Sequence, residues 1–295
     1  MATFATSDQL LVVIDPVARR LDGESVRIAK DVLRGGAASM KVCLPDGPEE
    51  FARALTRRGS RRPVVIGDDR ALVRTVSLLH RRRELAECAL SVVPVGGVLS
   101  LARSLGLPTG AVAASRAVLE GTERRLDLLV DDSDGVVLGA LRIPPIVSRQ
   151  AAGVDAGLDT GQDTVDAGAS AHPWLRTCQS LVRTLVPARP LRPTQFDPGP
   201  WPARLRVEVD GETLVDLDQP VEAVSVTPGG SGAAAVEVRP VSVGAEASPL
   251  LARGRRVTVS GADFRYRADA TVAGPVRKRT WTVWEGALGL TLPEG

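Results

Sequence analysis

The chain has 295 residues, a formal net charge of +2, and 44% apolar but only 3% aromatic residues. That length suits two domains with aliphatic cores, and a near-neutral charge excludes an overall field that selects nucleic acid. Cys43, Cys88, Cys178, His80 and His172 are too scattered for a zinc site or a disulfide framework, which points to a reducing, cytoplasmic setting.

The first half alternates strand and helix. Residues 10–14 (LLVVI) form a continuous aliphatic run, as in a strand buried on both faces, and Asp15-Pro16 ends it. A helix is predicted over 24–33, stopping at Gly35-Gly36, then a strand over 40–44 and a helix over 48–58. Residues 63–66 (PVVI) are a third strand, 71–82 a helix, and 89–93 (ALSVV) a fourth strand. Helices follow over 97–105 and 111–119, with a strand from 125 to 130. This order argues for a parallel sheet covered on both faces, with ligands beyond the carboxyl ends of its strands. Those ends are Asp15-Pro16, Gly67-Asp68-Asp69 and residues 94–97.

The pattern changes after about residue 135. Residues 148–171 are rich in Ala, Gly, Asp, Thr and Ser, which reads as a flexible insertion. From residue 205 onward, short alternating strands are predicted at 205–209, 221–226, 235–238, 256–259, 264–267, 280–284 and 288–292. Asp210-Gly211-Glu212 is a hairpin turn between two of them. The fold class is therefore α/β followed by β: a parallel-sheet nucleotide-type domain, then an antiparallel β-sandwich, with the tail returning to the first domain. The boundaries are 1–134 (plus roughly 268–295) and 135–267.

Two turns carry candidate chemistry. Gly67-Asp68-Asp69-Arg70-Ala71 joins a buried strand to a helix start, where backbone N–H groups can hold a phosphate and an acid can organise Mg²⁺. Its plain alternative is an Asp helix cap. Pro94-Val95-Gly96-Gly97-Val98-Leu99-Ser100 repeats the arrangement, with glycines that permit close backbone approach but apolar residues after them.

Taken in order, these motifs resemble the diacylglycerol kinase catalytic-domain superfamily, which includes bacterial lipid kinases and sphingosine kinases and is distantly related to NAD kinase. Asp15-Pro16 stands where the family has Asn-Pro, and residues 67–71 where it has Gly-Gly-Asp-Gly-Thr. Residues 94–103 stand where it has Pro-Leu-Gly-Thr-Gly-Asn-Asp-Phe-Ala-Arg; Pro94, Gly96, Ala102 and Arg103 match. Leu105-Gly106-Leu107-Pro108, Leu126-Asp127 and the run from Trp284 to Pro293 also resemble the family. Asp269-Ala270-Thr271 stands where it has Asp-Gly-Glu.

The resemblance implies a nucleotide site formed by Asp15, Gly67, Asp68, Asp69, Arg70, Gly96, Gly97, Ser100 and Arg103. It further implies Asp69 as a metal-linked acid and Asp269 as the candidate base, with Mg²⁺ and ATP as cofactors if the protein is active. The departures cut the other way. Arg70 adds bulk where a glycine belongs, Val98 and Leu99 remove polar contacts, and Thr271 replaces a glutamate. The reading is a catalytically impaired relative that binds a nucleotide-like or lipid ligand or a protein partner; the alternative is an active ATP-dependent lipid kinase. The basic-aromatic segment 277–281 reads first as a solvated hairpin, with contact to an acidic membrane surface as its alternative; a nucleotide or lipid ligand and a second copy in a homodimer are the other candidate partners, but not nucleic acid.

Overall fold

The structure is a computed structural model that describes residues 9–144, 202–241 and 248–294. The segment 148–171 lies outside the described residues.

Gln9–Ile14 (β1), Ser39–Cys43 (β2), Arg62–Gly67 (β3) and Ala89–Pro94 (β4) pair in parallel in the order β2-β1-β3-β4. The helices are Pro16–Leu21 (α1), Gly23–Gly36 (α2), Pro48–Thr56 (α3), Asp69–Arg81 (α4), Ser100–Ser104 (α5) and Ala111–Glu120 (α6). Successive strand residues face opposite ways. Leu10, Val12 and Val64 pack with Val26 and Leu33 of α2 and Val118 of α6. Leu11, Val13 and Val65 pack with Phe51 and Leu55 of α3 and with Leu72 and Val76 of α4. Both faces are thus buried, which is why these strands are aliphatic throughout. The chain leaves β1 toward β2 and returns on the other side at β3. That reversal makes the carboxyl ends of β1 and β3 a topological switch point, where such sheets bind ligands.

Three local expectations change. The helix predicted over 24–33 runs the full length of α2, because Asp22 caps it by accepting the Ser25 N–H (3.0 Å). The short α1, opened by Asp15 and Pro16, precedes it. The helix predicted over 97–105 shrinks to α5, since Leu99 sits at its cap position and has no oxygen to offer.

The antiparallel strands are Thr122–Asp131 (β5), Val136–Val137 (β6), Leu141–Ile143 (β7), Ala203–Val209 (β8), Glu212–Val215 (β9), Pro220–Pro228 (β10), Ala234–Pro240 (β11), Leu250–Gly254 (β12), Arg256–Ala268 (β13) and Thr271–Leu292 (β14). Asp210 and Gly211 form the β8–β9 hairpin turn at φ +52° and +92°. The pairs predicted as separate strands near 256–267 and 280–292 merge into β13 and β14, with irregular register absorbing the polar interruptions. Pairing does not divide into two independent sheets as a simple sandwich would. β7 pairs β10 and β13, and β8 pairs the same two, so these four strands close a ring around an apolar core that includes Phe264, Tyr266 and Trp281.

β14 is the joint of the molecule. Its first half pairs with β13, its whole inner stretch pairs with β5, and Gly289 and Leu290 pair in parallel with β4. In the basic-aromatic segment on β14, Arg277 and Lys278 are exposed. Trp281 is fully buried, edge-on to Tyr266 at 5.2 Å, while Arg277 pairs with Asp263 (3.0 Å) and Arg279 with Asp132 (2.6 Å). Among the described residues, no helix is long and apolar enough to cross a membrane.

Candidate functional site

The switch point is built from three acids and two glycines. Asp15, at the end of β1, is buried. One of its oxygens accepts the Val17 N–H (2.8 Å) and the other accepts from the Arg74 guanidinium on α4 (2.9 Å). An arginine within an apolar helix gave no sequence signal for this pairing.

Beside it, a Cβ at Gly67 would stand 2.6 Å from the Ala71 Cβ and 3.1 Å from that of Asp15. Gly67 is therefore demanded by packing between β1, β3 and α4. Asp68 caps α4 by accepting the Ala71 N–H (3.1 Å). Burial pushes its carboxyl above the ordinary range; the Ala71 N–H and Arg70 oppose this, and the neighbouring Asp15 charge adds to it. Gly96, at φ +136°, lies against Asp68, whose Cβ would be 3.0 Å from an added Cβ. Gly96 thus needs both its left-handed backbone and its missing side chain. Gly97 is exposed, with open space around it.

Asp69 ties the two loops together. It is 2% exposed. Its N–H donates to the Val98 carbonyl (3.0 Å). Its carboxylate accepts the N–H groups of Leu101 (2.8 Å) and Ala102 (3.0 Å) and the Ser100 hydroxyl (3.2 Å). Asp69 therefore caps α5 from another element, supplying the oxygen that Leu99 lacks. Helix α5 in turn abuts the loop after β6: a Cβ on Gly139 would meet Leu101 at 2.6 Å.

That loop holds Asp269. In the tight turn between β13 and β14, at φ +50°, Asp269 accepts from the N–H groups of Leu138 (2.7 Å), Gly139 (2.8 Å) and Ala140 (2.9 Å). Three consecutive amides converging on one carboxylate form an anion nest. Sequence reasoning found Asp269 but not this nest, whose donors are backbone groups about 130 positions away. Burial pushes the Asp269 carboxyl up, the three N–H groups oppose this, and the Asp69 charge adds to the rise. The two acids are thus close enough to sense each other.

The arginines are the uncommitted groups. Arg70 and Arg103 are exposed and make no side-chain hydrogen bond or ion pair among the described residues. Ser100 is exposed, and its hydroxyl serves Asp69. The structure therefore gathers Asp15, Gly67, Asp68, Asp69, Gly96 and Ser100 into one packed cluster, with Asp269 joined through α5. Among the described residues, no three His, Cys, Asp or Glu side chains converge. Both oxygens of Asp69 already accept N–H groups, and one also accepts the Ser100 hydroxyl.

No protein-family model and no curated protein sequence matches the chain. Solved structures do. One, described as a diacylglycerol kinase from Bacillus anthracis str. Sterne, superposes with a TM-score of 0.66 at 12% identity, covering 97% of each chain. A second from the same organism, also described as a diacylglycerol kinase, gives 0.64 at 10% identity over 97% of each chain. At such identities the likeness concerns the fold, and the chain has the fold of diacylglycerol kinase-like proteins.

Proposed function

We propose that this protein is a catalytically impaired lipid-kinase-like protein that works by binding a nucleotide-like or lipid ligand. One observation carries the reading: the backbone donors that would cradle phosphate are already taken by the chain's own oxygens. At the start of α4, the Asp69 N–H meets the Val98 carbonyl and the Ala71 N–H meets Asp68. At the start of α5, the Leu101 and Ala102 N–H groups meet Asp69. Phosphoryl transfer depends on positioning and on neutralising phosphate charge. A carboxylate fixed where a phosphate would sit repels it instead. The exposed Arg70 and Arg103 remain to attract an anionic ligand to the rim.

A second reading, an active ATP-dependent lipid kinase, is favoured by the nearness of Asp69 and Asp269 and by those same arginines. Labelled ATP with Mg²⁺ or Mn²⁺ and a panel of lipid alcohols, diacylglycerol included, separates the two. The expected result is no label transfer, with calorimetric binding of a nucleotide or a phospholipid that weakens in Arg103→Ala. Transfer to a lipid hydroxyl that disappears in Asp269→Asn would establish the kinase; binding of neither ligand class would overturn the proposal.

A further inference from the structure

At the opposite edge of the parallel sheet, the amino ends of β3 and β4 meet the start of β5 and the end of β14. They enclose a cavity of about 610 Å³, a volume typical of small-molecule sites. Arg58, Arg61, Arg62 and Arg125 line it against Glu87 and Glu123. Arg58 is neutralised by Glu84 just outside the wall, so the remaining three guanidiniums face two carboxylates and leave an excess of positive charge. Nothing in the loop cluster around Asp69 contributes to this wall.

Most of these arginines serve neighbours. Arg58 pairs with Glu84, Arg125 pairs with Glu123 (2.9 Å) and donates to the Ala86 carbonyl (2.9 Å), and Arg62 donates to the Val118 carbonyl near the end of α6 (2.8 Å). Such contacts complement helix and loop carbonyls at this edge. Arg61 differs. It is half-buried, and its side chain makes no hydrogen bond or ion pair among the described residues. The terminal N–H groups of this guanidinium are the ones an anion in the cavity can reach, and a bound anion would give them charged acceptors. A guanidinium offers a planar fork suited to phosphate oxygens, and the excess of positive charge in the wall favours an anion.

We propose that this cavity binds a small phosphate monoester, with Arg61 as its anchor. Cys88, also in the wall, stays a neutral thiol, since burial pushes it up to about 11. The proposal does not depend on whether the Asp69 loops bind or transfer anything.

Calorimetry with glycerol 3-phosphate, monomeric short-chain phosphatidic acid and acetate tests it. Either phosphate ester should bind in preference to acetate, and which one binds tells a soluble ester from a lipid headgroup. Arg61→Ala should weaken binding about tenfold or more, and Arg61→Lys, which keeps the charge but loses the fork, by less. Hydrogen exchange on the unaltered protein gives a readout that needs no variant: the bound ester should slow exchange at residues 58–62 and 121–125. Unchanged affinity in Arg61→Ala, no preference over acetate, or protection at 67–71 and 96–103 instead would each overturn the site.

Discussion

Asp68 shows how one position can serve structure while carrying an awkward charge. It caps α4, yet burial and the adjacent Asp15 favour its protonated form. A carboxyl raised in the native state keeps its proton longer there than in the unfolded chain. Its stabilisation is therefore present at low pH and is lost as pH rises from about 4 through the raised native value. Asp68→Asn retains a good capping residue but cannot titrate. Its urea midpoint should rise relative to the unaltered protein as pH climbs through that window; parallel midpoint curves would refute this. The sequence marked Asp68, Asp69 and Gly67 as a strand-to-helix turn from local pattern alone. It held no reason for Gly67 to be glycine, because the crowding atoms belong to Asp15 and Ala71, and only folding brings Asp15 there. Arg74 was illegible for a similar reason: its partner lies 59 positions away.

At the scale of elements, α5 has five residues, too few to be stable alone. It persists because Asp69, from the first turn of α4, accepts two of its N–H groups. Asp69→Ala should cost about 2–4 kcal/mol, since it leaves two buried amides unmet. Exchange at Leu101 and Ala102 should accelerate well beyond that of β1; Asp69→Asn, which keeps one acceptor, should lose less. Equal exchange at Leu101 in Asp69→Ala would show that α5 stands without this cap. The parallel strands were legible because burial on both faces demands uninterrupted aliphatic runs. The merged β13 and β14 were not, since Gly261 and Gly286 read as ends of strands. In fact Gly261 continues the pairing with β8, and Gly286 sits in an irregular stretch between Trp284 and Leu288 of β14.

For the whole molecule, β5 and β14 run side by side from the helical cores into the ring of antiparallel strands. Leu128, Leu288 and Leu290 belong to one core, and Leu129, Trp281 and Val283 to another. Neither core can open without breaking the same pair of strands. Urea unfolding should therefore be a single transition, coincident by tryptophan fluorescence, to which the buried Trp281 contributes, and by far-ultraviolet circular dichroism. Two separated transitions would mean that the halves are independent. The sequence identified a returning tail but not that the tail is the sheet's continuation. The same architecture sets a rule for a chain emerging from the ribosome. On its side away from β3, β4 has an unpaired edge until Gly289 and Leu290 arrive, and the Ser91–Thr291 hydroxyl bond (2.9 Å) closes a loop of 200 residues. Throughout that interval the nascent protein displays an apolar strand open to pairing with any neighbour, so synthesis itself is the stage at which this fold is most exposed to aggregation.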